Sequence, residues 1–114
     1  MRTFTVIDGQ AIGINEFGQN VPFSYTVAHP IPNPFARQVM ITYGLPKTKK
    51  VNLEVYNCLG QVVKTLVNGI MEPGFYRVRW DGVDDLNRRL SAGVSFCRFT
   101  TDDYISTKKT VRIK

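Results

Sequence analysis

The chain has 114 residues, enough for one domain with a core of its own, since a domain of this size buries roughly two-thirds of its unfolded surface. No apolar run approaches the ~18 residues of a membrane-spanning helix, which excludes a transmembrane segment of that kind. Net charge is +6, and the excess belongs to the later part: residues 1–36 hold Arg2 against Asp8 and Glu16. A basic surface favours anionic partners. Here the cations stand singly, at Lys64, Arg77, Arg79 and Arg98 among others, with no repeat of interleaved aromatics, so a solvated sheet face is expected rather than nucleic-acid binding.

Residues 1–22 read as a leader, a linker or the remnant of a preceding domain. They lack the continuous apolar centre of a secretory signal, because Asp8, Gly9 and Gln10 interrupt it, so no signal peptide is expected in this chain. Two short alternating pieces, 3–7 and 11–14, flank the turn-like Asp8-Gly9 and fit either a hairpin or the trailing end of another domain. Residues 15–21 read as linker.

The main domain is expected over residues 23–114. Phe23 to Ala28 alternates and suits a first strand. His29-Pro30-Ile31-Pro32-Asn33-Pro34-Phe35 then forbids both a helix and a central strand, leaving extended, polyproline-like backbone along a sheet edge with Phe35 as an apolar plug. Val39 to Leu45 alternates as a second strand that Pro46 ends. A cationic turn, Lys47 to Lys50, follows.

Val51 to Val67 organises the rest. Val51, Leu53 and Val55 alternate with polar residues, and Asn57 to Gly60 supply the turn chemistry of a hairpin with a glycine bulge. The return strand, Gln61 to Val67, has two faces so alike that its inward side is not assigned. Asn68-Gly69 is expected to close it.

Pro73-Gly74 opens a fifth strand in which Tyr76, Val78 and Trp80 face one way while Phe75, Arg77 and Arg79 face the other. The arginines claim the wet side. Trp80 is therefore expected in the core, which counts against a carbohydrate-binding platform. Asp81 to Asn87 clusters acids as a calcium loop does, but Val83 and Leu86 interrupt the donor spacing and no distal Glu follows, so side-chain-to-backbone turns are expected and no metal. Ser91-Ala92-Gly93 leads into a sixth strand, Val94 to Thr101. Asp102-Asp103 turns into a seventh, from Tyr104 to the C-terminus, where Val111 and Ile113 alternate with Thr110, Arg112 and Lys114. The fold class is all-β: a seven-stranded antiparallel immunoglobulin-like β-sandwich.

No constellation of catalytic groups is apparent. His29, the single histidine, has no Cys, Ser or acid placed to work with it, so no enzyme activity and no cofactor are expected. Cys58 falls in a hairpin turn and Cys97 well inside a strand, a placement that argues against pairing them.

Several stretches, Pro32-Asn33-Pro34-Phe35, Ile41 to Pro46, Leu53 to Val63 with Tyr56, Gly60 and Gln61, Gly74-Phe75-Tyr76, Trp80-Asp81-Gly82, Ser91 to Val94 with Gly93, and Lys108 to Lys114, together resemble the C-terminal sorting domain of type IX secretion cargo. They equally resemble the related Ig-like domain named after the flagellar hook-capping protein. The resemblance implies a non-catalytic module at the end of a larger secreted protein, recognised by outer-membrane translocation and attachment machinery and destined, via the periplasm, for secretion or the cell surface. The alternative it leaves is a structural Ig-like spacer or capping module. Asn87 stands where such domains often have glycine, and Ser95 and Cys97 where tyrosines are common. The chain begins at Met1 without room for a passenger, which fits either a fragment or a small free-standing protein. Within this frame Lys108, Lys109, Val111, Arg112, Ile113 and Lys114 are the expected recognition residues. A receptor is expected to read that strand's exposed edge by strand addition, with Lys109, Arg112 and Lys114 supplying charge.

Overall fold

The computed structural model describes residues 5–7, 10–14 and 20–113. Among these there is no helix, and ten strands form three sheets. β1 (Thr5–Ile7), β2 (Gln10–Ile14) and β3 (Asn20–Pro22) make a small antiparallel sheet, so the two N-terminal pieces do pair as a hairpin. The placement of Met1 to Phe4, of Asp8-Gly9 and of most of the expected linker lies outside the described residues.

The other seven strands form an antiparallel sandwich. One sheet has the order β4 (Thr26–Val27), β5 (Val39–Leu45), β8 (Gly74–Trp80). The second has the order β10 (Ile105–Arg112), β9 (Gly93–Thr100), β6 (Lys49–Asn57), β7 (Val62–Met71). Between the sheets lies a core of Val39, Ile41, Tyr43, Leu45 and Trp80 from the first and Val51, Leu53, Val55, Cys97 and Phe99 from the second. Every one of them sits at an inward position of a period-two strand. β7 stays beside β6 instead of joining the first sheet, as the fourth strand of a constant-type immunoglobulin domain would.

The hairpin between β6 and β7 forms as its residues dictate. Gly60 has φ +82°, its N–H donates to the Asn57 carbonyl at 3.0 Å, and the Asn57 N–H donates to the Gln61 carbonyl at 3.0 Å. Asn57 Oδ1 accepts from the backbone N–H of Leu59 and of Gln61, which fixes the turn from within.

β7 explains its own ambiguous pattern. The register against β6 slips between Leu53 and Glu54 and again between Val55 and Tyr56, leaving Leu66 and Val63 as extra residues at two bulges. Each bulge shifts the alternation by one, so Val63, Leu66, Val67 and Met71 all reach the core although no single period joins them.

Four boundaries differ from expectation. β4 is only two residues long, followed by the Ala28 N–H bond to the Thr42 carbonyl and then by Pro30, which cannot donate to a ladder. Asn68 and Gly69 do not close β7 but pair with Asn52 and Val51 inside it, the long β6 holding turn-forming residues in the ladder. Lys49 and Lys50 belong to β6, not to a turn, and Lys49 Nζ lies 3.0 Å from Asp102 and 3.5 Å from Asp103. The proline-rich run is not uniformly polyproline-like, since the Ile31–Pro32 and Asn33–Pro34 bonds are cis.

Candidate functional site

The expected recognition segment lies on β10, the outermost strand of the four-stranded sheet. Its register with β9 is unbroken from Ile105↔Thr100 to Arg112↔Gly93. Simple alternation would bury Val111 and Ile113, yet the structure turns the other set inward. Lys108 is opposite the buried Cys97, and Thr110 is itself fully buried. The reason is what this edge of the core contains. Thr110 Oγ1 donates to the Ser95 carbonyl at 3.3 Å, and Arg112 Nη1 donates to the Leu90 carbonyl at 2.6 Å, so both inward side chains bond backbone oxygens in partly buried surroundings. Lys109, Val111 and Ile113 consequently face out, while Lys114 lies outside the described residues.

The outer edge of β10 is not open where the recognition segment lies. Asn33 Nδ2 donates to the Lys109 carbonyl and Asn33 Oδ1 accepts from the Val111 N–H, both at 2.9 Å. The Phe35 N–H then donates to the Val111 carbonyl at 2.8 Å, and Phe35 accepts from the Ile113 N–H at 2.8 Å. Pro32-Asn33-Pro34-Phe35 thus occupies the backbone groups that strand addition would need. This corrects the expected mode of reading: over 109–113 the edge is filled by the chain's own residues. Asp85 does the same at the opposite edge, donating its N–H to the Val63 carbonyl at 3.0 Å and accepting from the Thr65 N–H at 3.2 Å.

Arg112 is likewise committed. Its side chain crosses Gly82, whose φ of +78° favours glycine and whose added Cβ would press on Arg112 Cδ at 3.1 Å. Phe35 packs on Trp80 with ring centroids 5.6 Å apart, and Trp80 Nε1 donates to the Val83 carbonyl at 2.9 Å. The motifs Pro32 to Phe35, Trp80-Asp81-Gly82 and Lys108 to Ile113 therefore converge on one corner, with Asp81 exposed just beyond β8.

The remaining family-motif residues lie apart from that corner. Gly74 and Gly93 open β8 and β9. Tyr76 stacks on Tyr43 and donates its hydroxyl to the Glu72 carbonyl at 2.6 Å. Tyr56 lies on the outer face of the four-stranded sheet, its hydroxyl on Glu54 and its ring under the Arg98 guanidinium at 4.5 Å. Gln61 accepts from Asn57 Nδ2 at the hairpin turn.

The acidic loop has its own partners. Asp84 Oδ1 accepts from the N–H groups of Leu86 and Arg88, and Oδ2 from Arg88 Nε, while Asn87 adopts φ +62°. The backbone bond from Arg88, ahead of the other contacts, holds this carboxyl below the usual range. Cys58 and Cys97 are free, one exposed in the turn and one in the core, where burial pushes the thiol up to about 12. His29 is exposed. Trp80, buried, offers no stacking face to a sugar.

A family model described as the FlgD Ig-like domain matches residues 37–95. The match runs from just before β5 into β9 and does not reach β10. No curated protein matches the chain. Among solved structures the chain is similar to dimeric latent PorU from Porphyromonas gingivalis, with a TM-score of 0.60 and 12% identity over 91% of this chain. That likeness is one of fold, and the chain spans 12% of the PorU chain's length.

Proposed function

Since the chain belongs to the FlgD Ig-like domain family, we propose that it serves as a non-catalytic sorting and recognition domain, the C-terminal label of a protein carried by the type IX secretion system to the cell surface. The observation that carries this reading is the corner where β10 is fastened. Asn33, Phe35, Gly82 and Arg112 belong to motifs far apart in sequence, and all four hold the last strand in place. A label must present one conformation to its receptor, and this fastening supplies one while closing the edge as Asp85 closes the opposite one. Outer-membrane translocation and attachment machinery would be the partner, and any activity would reside in an attached passenger.

A structural spacer is the second reading, favoured by the family match, which spans β5 to β8 and the start of β9 and leaves out β10. Fusing a signal peptide and a reporter ahead of the full chain, in a host with type IX machinery, separates the two. A label takes the reporter to the surface and loses that ability when residues 108–114 are removed from a domain that still folds. A spacer leaves the reporter in the periplasm in both cases.

A further inference from the structure

The outer face of the four-stranded sheet is unequal along its length. Register places Val62, Tyr56, Phe96 and Lys109 in one row across β7, β6, β9 and β10, with Val94 opposite Val111 beside it. Four residues along β6, β9 and β10, the row is Asn68, Asn52, Thr100 and Ile105, mostly polar. Large apolar side chains are more numerous at the end where the chain's last described residues lie, with Ile70 and Ile105 the exposed apolar residues toward the other end. Leu59, at the hairpin tip, is 79% exposed, and Ile113, Val62 and Val94 are 49%, 46% and 41% exposed. On the same face is a hollow of about 270 Å³ lined by Tyr56, Phe96, Arg98 and Thr107 and by Cys58 and Gly60 of the hairpin turn. Exposed apolar side chains gathered on one face mark an interaction site far more often than scattered ones do.

We propose that this end of the sheet, centred on Leu59, Val62, Val94 and Ile113, is the surface that docks the export receptor, and that the receptor presents an apolar groove with an acidic rim. The proposal rests on the sorting reading and deepens it. The edge of β10 is filled over 109–113 and Thr110 and Arg112 point inward, so a receptor that meets the folded domain reaches the terminal segment through its outward side chains. Charge selects the partner. Lys109 and Arg98 flank the apolar end, neither paired with a carboxylate among the described residues, and Arg98 Nε is buried without a hydrogen-bond partner. Glu54, the acid opposite Arg98 in the register, turns its carboxylate to the Tyr56 hydroxyl at 3.0 Å. A second copy laid face to face would bring these cations together with only that one engaged acid to offset them, whereas an acidic rim pairs with them.

The test uses the reporter fusion of the full chain with Leu59→Glu, Val62→Glu and Val94→Glu, singly and in pairs, and Phe75→Glu on the exposed face of the other sheet as control. Thermal melting establishes that each variant folds. Surface display of the reporter should fall about tenfold or more in the paired variants and stay within about twofold of wild type in the control, as expected when anchors at an interface centre are charged. Patch variants that fold and are displayed like wild type would overturn the docking surface while leaving the sorting reading intact. Wild type retained in the periplasm overturns both. Sedimentation of the purified chain as a dimer that Val62→Glu dissolves, or binding to anionic vesicles that it abolishes, would assign the face to another occupant and also overturn the proposal.

Discussion

The carboxamide of Asn33 stands beside Val111 and Lys109 as a neighbouring strand residue would, accepting from one and donating to the other at 2.9 Å. Pro32 and Pro34 flank it, each with a fixed φ, so the side chain is held at the height of the ladder it completes. Asn33→Ala removes both bonds at once and leaves the two backbone groups to water. Because the site is at the surface, the expected loss is modest, about 1 to 2 kcal/mol in urea unfolding. A midpoint unchanged from wild type would mean that Asn33 does not fasten the strand.

Gly60 isolates a backbone effect. Nothing lies within 4 Å of an added Cβ, so only its φ of +82° resists a side chain. Gly60→Val is expected to destabilise the domain by roughly 1 to 3 kcal/mol through strain at the turn. Gly44 is the opposite case, since an added Cβ there would meet Thr26 Oγ1 at 2.5 Å and Pro22 Cγ at 3.0 Å. Gly44→Ala should lower the melting temperature by steric displacement of the segment that leads into β4, and a neutral result would show that this contact relaxes freely.

The seven strands and the inward set on β5, β6 and β8 were legible because those strands keep a strict period of two, whereas apolar residues on both faces of β9, Val94 and Phe96 against Cys97 and Phe99, left its inward side unassigned. β7 was not, since its two bulges move Val63 and Leu66 onto the core side and erase the alternation. The inward face of β10 was hidden for another reason. What Thr110 and Arg112 meet is set by the carbonyls of Ser95 and Leu90, far away in sequence, so hydrophobicity along β10 pointed the wrong way. The Pro-Asn-Pro-Phe motif announced an edge and a buried Phe35, but not that Asn33 would take up the backbone groups of β10. A side chain acting as a strand has no periodic signal. The apolar end of the outer face was unreadable because it combines residues from four strands and a turn, and only the register brings them together.

Cysteine chemistry separates the two free thiols. Cys58 is exposed, whereas Cys97 is buried with its thiol pushed up to about 12. A maleimide at neutral pH should therefore add once to the native chain and twice after unfolding, with the first adduct on Cys58. No labelling in the native state would indicate a disulfide instead.

Acid should weaken the fold through two carboxyls. Asp84 is held below its ordinary value chiefly by the backbone bond from Arg88, and Asp103 chiefly by the hydroxyl of Tyr25. A carboxyl depressed in the folded state stabilises it above the unfolded value of 3.8, and that contribution disappears as pH falls through the lower folded value. Melting temperature should thus be level from neutral pH to about 5 and decline below about 4, and the decline should be shallower in Asp84→Asn, which has already lost its share.

That the terminal strand is read from its face, its edge being closed, is tested most directly by residue-resolved amide hydrogen exchange along β10. In an antiparallel ladder alternate residues turn their amides toward the neighbour, and the bonds of Val111 to Asn33 and Phe35 show that odd positions point away from β9. Ile105 and Thr107 should therefore exchange fast while Ser106 and Lys108 exchange slowly. From Thr110 onward the alternation should vanish, because Val111 is held by Asn33 and Ile113 by Phe35, leaving 110–113 protected without a break. Fast exchange at Val111 and Ile113, matching Ile105 and Thr107, would show an open edge along the whole strand and return strand addition as the way a receptor reads it.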